Sequence, residues 1–100
     1  MDVTGPISSI AEEFELLERH ISILKTVCSS QPIGLIRLSE CTGIPKHKVR
    51  YSLKLLEQQG IIKATPEGAV TTDRYSEFMD SIKSGVDSLL EKAEKLRSMV

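Results

Sequence analysis

The sequence has 100 residues, of which 27% are charged and 40% hydrophobic, and its formal net charge is −1. This length allows one small domain with at most an extended arm, and the thin core of such a domain favours oligomerisation as a further way to bury apolar surface. The sequence contains no run of eighteen apolar residues and does not open with the basic-then-apolar order of a signal peptide. We therefore expect a cytoplasmic protein with no membrane partner.

The charges are unevenly distributed along the chain. Residues 1–20 carry five acidic side chains and one arginine, whereas residues 21–63 carry seven basic and two acidic side chains. A local basic surface can bind nucleic acid even when the whole protein is close to neutral.

The first periodic segment follows residues 1–6, where a Gly-Pro pair predicts a loose terminus. Apolar residues then alternate at spacings of three and four, which predicts a helix over about residues 8–28, capped by Ser8 or Ser9. These residues are Ile7, Ile10, Phe14, Leu17, Ile21, Leu24 and Cys28. Further apolar residues widen the stripe in the second half. We expect that half to pack within the chain and the acidic first half to extend elsewhere.

Cys28 and Cys41 are the two cysteines, and with two histidines they form no ligand set with the spacing of a metal site. Two buried, reduced thiols are expected, with a redox pair as the alternative. The sequence has no glycine-rich phosphate loop, no plausible Ser/His/Asp or Cys/His context and no carboxylate pair inside an evident pocket. We therefore expect no enzymatic activity, no cofactor and no metal.

Residues 35–60, LIRLSECTGIPKHKVRYSLKLLEQQG, predict a short helix, a tight turn and a longer helix. Gly43 can take the positive φ that ends a helix, and Pro45 suits the next helix start because no N–H is needed there. The longer helix has its apolar face at Val49, Leu53 and Leu56, and Gly60 ends it. Its other positions are basic or aromatic: Lys46, His47, Lys48, Arg50, Tyr51 and Lys54.

Two short strands are predicted at residues 61–65 and 69–72, with a turn through Pro66, Glu67 and Gly68. The segment ECTGIPKHKVRYSLKLLEQQGIIKATPEGAVTT resembles winged helix-turn-helix transcriptional regulators, and in particular small archaeal predicted regulators. The resemblance covers about residues 21–78 and includes the pattern LxxLExxGxI at residues 53–62. It implies a winged helix-turn-helix fold, so the chain is expected to be mainly α with a small β-hairpin and long N- and C-terminal helices.

The C-terminal segment keeps an apolar spacing of four and three to the last residue, which predicts a helix on the order of 40 Å long. Its seam has no evident cover within the domain, so we expect a homodimer, with folding back within a monomer as the alternative. The predicted dimer interface comprises Tyr75, Met79, Ile82, Val86, Leu89, Ala93, Leu96 and Val100. The expected organisation is an extension at 1–20, a winged helix-turn-helix domain at 21–74 and a dimerisation helix at 75–100.

The resemblance implies double-stranded DNA as the partner and a recognition helix that enters the major groove. It places Lys46, His47, Arg50 and Tyr51 at positions that face DNA, with Arg50 as the candidate for a bidentate guanine contact. By residue type, Arg37, Lys48 and Lys54 suit phosphates, and Lys63 lies at the base of the hairpin. The hairpin tip is short and acidic, so the recognition helix is expected to dominate.

Each of these interpretations has an alternative. The basic helix face could be a solvated surface only, His47 an ordinary exposed histidine, and Tyr51 a ring packed on Lys or Arg stems. A winged-helix module that scaffolds other proteins without binding DNA is the main competing function. A dimeric regulator whose helical bundle binds a small effector is another.

Overall fold

The computed structural model describes residues 5–100, which form four helices and one β-hairpin. The elements in chain order are α1 (Gly5–Ser30), α2 (Leu35–Thr42), α3 (Lys46–Gln58), β1 (Ile62–Thr65), β2 (Gly68–Thr71) and α4 (Tyr75–Met99). The prediction of a mainly helical chain with a small antiparallel hairpin is confirmed. No helix within residues 5–100 has the length and apolar character needed to cross a membrane.

Helix α1 is longer than the sequence predicts at both ends. It begins at Gly5, so the predicted loose terminus is wrong for Gly5 and Pro6, while residues 1–4 lie outside the described part. Proline is tolerated in a first turn because the N–H it lacks has no partner there. The buried residues of α1 all lie in its second half, as expected for the half that packs within the chain: His20, Ile23, Leu24 and Val27.

A three-residue turn, residues 43–45, joins α2 to α3. Gly43 adopts φ 72° and donates its N–H to the Ser39 carbonyl oxygen at 2.9 Å. The Thr42 hydroxyl donates to the Leu38 carbonyl oxygen at 2.6 Å and accepts the Ile44 N–H at 3.3 Å. Because the turn satisfies its own polar groups, it holds α2 and α3 in one defined arrangement.

The hydrophobic core joins α1, α2, α3 and the hairpin, and its members are Ile23, Leu24, Val27, Ile33, Leu38, Val49, Leu56, Ile61 and Ile62. In the hairpin, Ile62 lies opposite Thr71 and Lys63 opposite Val70. Ile33, between α1 and α2, donates to the Ala69 carbonyl oxygen at 3.1 Å and accepts the Ala69 N–H at 2.8 Å. This two-bond bridge ties the hairpin to the helices.

Helix α4 contacts the rest of the chain mainly through its first turns. Tyr75, Phe78 and Met79 are half-buried and pack against the core, whereas residues 83–100 are all exposed. The molecule accordingly measures 52 × 30 × 21 Å. Tyr75 and Met79, two members of the predicted dimer seam, therefore pack within their own chain.

The two thiols differ in their surroundings. Cys28 is half-buried and lies near the Tyr75 side chain, while Cys41 is exposed, and both are free. Burial raises the pKa of Tyr75, and the neighbouring Cys28 thiol raises it further. The prediction of two buried thiols is wrong for Cys41, because the inward face of α2 is formed by Leu35, Leu38, Ser39 and Thr42 and Cys41 lies outside that face.

Candidate nucleic-acid interface

One face of α3 is a basic and aromatic surface. His47, Arg50, Tyr51 and Lys54 follow the i, i+3, i+4, i+7 spacing of a single helical face, opposite the buried Val49. These four residues, which α3 itself brings together, are called the basic face of α3 below. All eight side chains predicted to contact DNA are exposed: Arg37, Lys46, His47, Lys48, Arg50, Tyr51, Lys54 and Lys63.

The centre of the basic face borders a shallow groove. Arg50 and Lys54 line it together with Leu53, Glu57 and Gln58, and its volume is about 440 Å³. Two long cationic side chains one helical turn apart can both reach a ligand surface that lies along this groove. Glu57 is the one acidic side chain on its rim, one turn nearer the C-terminus of α3.

The beginning of α3 adds further positive potential. Its first turn holds no acidic residue, and Pro45 offers no side chain that could cap the free N–H groups. A helix N-terminus carries a partial positive charge, and Lys46 and Lys48 reinforce it with two full charges. Anions such as phosphate groups are attracted to this combination of backbone donors and cations.

An acidic surface lies on one side of this N-terminus. Glu12, Glu13 and Glu15 of α1 line a groove of about 500 Å³ with Leu16, Arg19, Lys48 and the turn at residues 43–45, so three carboxylates lie there with two cations. The expectation that the acidic half extends away from this region is therefore wrong. α1 is one continuous helix whose second half packs in the core, and its exposed first half runs past the turn. The carboxylates oppose the phosphate contact predicted for Lys48.

Tyr51 is positioned by contacts with α1. Its ring centroid lies 6.0 Å from that of His20, with an interplanar angle of 30°. The Arg19 guanidinium carbon lies 5.9 Å from the Tyr51 ring centroid, which is within the range of a cation–π contact. The packing alternative for Tyr51 is thus observed, and 53% of the residue still remains exposed.

Beneath Tyr51 lies a polar pair that the sequence interpretation missed. His20 is 6% exposed and Ser52 is fully buried, and the His20 Nδ1 atom lies 2.7 Å from the Ser52 Oγ atom. Burial lowers the pKa of His20, and the positive charge of Arg19 lowers this pKa further. The sequence does contain a signal for this pair. His20 lies three positions before Ile23 on α1, and Ser52 lies three positions after Val49 on α3, so each is a polar residue within the apolar stripe of its helix.

The two remaining predicted contacts lie on other elements. Arg37 is exposed on α2, and Lys63 is exposed on β1, where it pairs with Val70. The hairpin turn at Pro66 and Glu67 presents one acidic side chain and no basic one. Among residues 5–100, no group of three His, Cys, Asp or Glu side chains is placed to hold a metal ion. No protein-family model matches the chain.

Proposed function

We propose that this chain is a winged helix-turn-helix transcriptional regulator that inserts α3 into the major groove of double-stranded DNA. The basic face of α3 is the observation that carries the proposal, because it is exposed, and its apolar back is held by the core. The order of three helices, hairpin and fourth helix agrees with the fold implied by the sequence resemblance. A major groove is wide enough to admit a helix, and Arg50 has the donors for a bidentate guanine contact.

The charges on either side of α3 favour one direction of approach. Lys48 faces the three glutamates of α1, whereas Arg50 and Lys54 border a groove with a single acidic residue. We infer that phosphates lie on the side of Arg50 and Lys54, because carboxylates near the DNA backbone raise the free energy of binding. The short hairpin with its acidic tip leaves α3 as the main contact.

We further propose that the regulator is a homodimer joined through the outer part of α4. The apolar side chains there are exposed: Val86, Leu89, Leu90, Leu96, Met99 and Val100. Two-fold pairing is the commonest way for a chain to bury such a seam, and it would place two copies of α3 on neighbouring half-sites.

A second candidate is a protein-interaction module that does not bind DNA. The observation in its favour is the acidic groove beside α3, which would attract a basic partner protein. The two functions differ in one measurable property, which is salt-sensitive binding to duplex DNA.

The test is fluorescence anisotropy with a labelled duplex of random sequence, at about 50 mM and about 200 mM salt. Binding is expected to weaken steeply as the salt concentration rises. Removing Lys46, Arg50 and Lys54 together by alanine substitution should reduce the slope of log K against log salt by roughly 0.9 for each phosphate that the variant no longer neutralises. The matched control replaces Lys83, Lys92 and Lys95, three exposed lysines of α4, and changes the net charge equally.

The proposal fails if no binding occurs at the lower salt concentration, or if the two triple variants weaken binding equally. A third variant tests the direction of approach. Glu12→Gln with Glu15→Gln removes two charges from the acidic groove and should raise the affinity for random duplex DNA several-fold.

A further inference from the structure

A third groove is lined by residues of α1, among them His20, and by one residue of α4. Its walls are mainly apolar, with Ile10, Phe14 and Leu17 from α1 and Leu89 from α4, and its volume is about 370 Å³. This volume lies within the range of small-molecule sites, which combine apolar walls with a few polar groups. The polar groups here are the side chains of Glu13 and His20.

The tautomer of His20 is not given by the contact itself, because the Nδ1 atom and the Ser52 hydroxyl, 2.7 Å apart, can each be the donor. We infer that the fully buried Ser52 hydroxyl donates, because its proton then has Nδ1 as an acceptor. Nδ1 then accepts, so a neutral ring carries its own proton on Nε2. Nε2 has no partner among residues 5–100. No buried side-chain nitrogen or oxygen there lacks a partner, so Nε2 keeps accessible surface, and the groove that His20 lines is where a ligand would reach it.

We propose that this groove binds a small, neutral, largely apolar molecule that carries a hydrogen-bond acceptor, such as an aromatic ketone. The apolar body lies against Phe14 and Leu17 of α1, which leaves Leu89 to the dimer seam proposed above, and the acceptor takes the Nε2–H of His20. The carboxylate of Glu13 on the rim disfavours an anionic ligand. A leucine or phenylalanine from a second copy of the chain would bury the Nε2–H without an acceptor, which makes it the poorer occupant.

The same histidine connects the groove to the basic face of α3. The His20 ring is stacked on Tyr51 and hydrogen-bonded to Ser52. A ligand that accepts the Nε2–H therefore restricts a ring that contacts two residues of α3. Ligand binding itself does not depend on DNA binding, and it is measured without DNA. The failure of either proposal is therefore seen separately.

The probe is 6-propionyl-2-(dimethylamino)naphthalene, a neutral ketone whose emission shifts to the blue in apolar surroundings. With the full chain we expect saturable binding and a blue shift. 2-Acetylnaphthalene should displace the probe roughly three- to tenfold better than 2-isopropenylnaphthalene, in which a CH₂ group replaces the carbonyl oxygen. In the double variant His20→Phe/Ser52→Ala, which removes both polar partners together, this difference should vanish. Long-range ¹⁵N spectra should show the proton on Nε2.

Three results would overturn the proposal. The first is equal displacement by the two competitors, and the second is a His20 spectrum with the proton on Nδ1. The third is a decline in probe binding as the protein concentration rises, which would assign the groove to a second copy. Circular dichroism checks the fold of the double variant, and Phe14→Ala provides an independent readout because it should weaken binding of both competitors while leaving their ratio unchanged.

Discussion

The Nδ1 atom of His20 in α1 lies 2.7 Å from the Oγ atom of Ser52 in α3, and both residues are buried. This contact crosses the junction between the helix that carries the acidic surface and the helix that carries the basic face. Ser52→Ala leaves a buried ring nitrogen without its partner, so we expect the free energy of unfolding to fall by about 1–3 kcal/mol. Urea titration followed by circular dichroism measures this decrease.

The control for this substitution is Ser84→Ala, since Ser84 is exposed on α4 and should change stability by less than about 0.5 kcal/mol. The double variant His20→Phe/Ser52→Ala should lose less stability than the sum of the two single changes, because no polar group is left unpaired. Strictly additive effects would mean that the two side chains do not interact.

The lowered pKa of His20 makes stability depend on pH. The folded-state pKa lies below the ordinary value of 6.5, so the unfolded chain takes up a proton first as the pH falls. The contribution to stability is therefore complete above pH 6.5 and is lost between that pH and the folded pKa. Urea midpoints measured from about pH 8 to about pH 5 should decrease in the wild type. His20→Phe/Ser52→Ala should flatten this part of the profile, because the buried imidazole is then absent.

Gly68 is required by the bridge between the hairpin and Ile33. Its φ is 134°, and a Cβ atom at this position would lie 2.6–2.8 Å from backbone atoms of Ile33. We expect Gly68→Ala to lower the free energy of unfolding by about 2–4 kcal/mol, from backbone strain and from displacement of Ile33. Gly85→Ala is the matched control, since a Cβ atom at this position of α4 meets open space. This substitution should raise the free energy of unfolding by about 0.5–1 kcal/mol. Equal effects would contradict the close approach at Ile33.

The proposed dimer is tested at Leu96, which is 60% exposed on the outer part of α4. Light scattering of the wild type should give twice the chain mass of 11.1 kDa, and Leu96→Asp should give the single mass. Helix α4 of the Leu96→Asp variant should remain folded, because Leu96 is not part of the core of its own chain. Ser98→Asp adds the same charge nearby at an exposed polar position and should leave the dimer intact. A wild type of 11.1 kDa at micromolar concentration would contradict the assembly.

Much of the fold could be predicted because its signals are local. The turn at Gly43 and Pro45, the positive-φ Gly60 shortly after the end of α3 and the hairpin turn at Pro66 are each encoded within a few residues, and the structure has all of them. The start of α1 was harder to predict, because a proline such as Pro6 is compatible both with an irregular N-terminal segment and with the first turn of a helix.

The candidate interface was predictable in part. The spacing of His47, Arg50 and Lys54 along α3 places them on one exposed face, whatever the rest of the chain does. The acidic neighbour of Lys48 and the contacts of Tyr51 with Arg19 could not be read in the same way, since they depend on how α1 crosses α3.

The sequence by itself determined the helices, the hairpin, the basic face of α3 and the apolar seam of α4, because periodicity and turn chemistry act over a few residues. Only the tertiary structure decided which side chains meet across elements. It brought His20 to Ser52, packed Tyr75 and Met79 against the chain's own core, and placed the acidic half of α1 beside the start of α3. The physical reason is that such contacts depend on the angles and depths at which helices pack, which the periodicity of one helix does not contain.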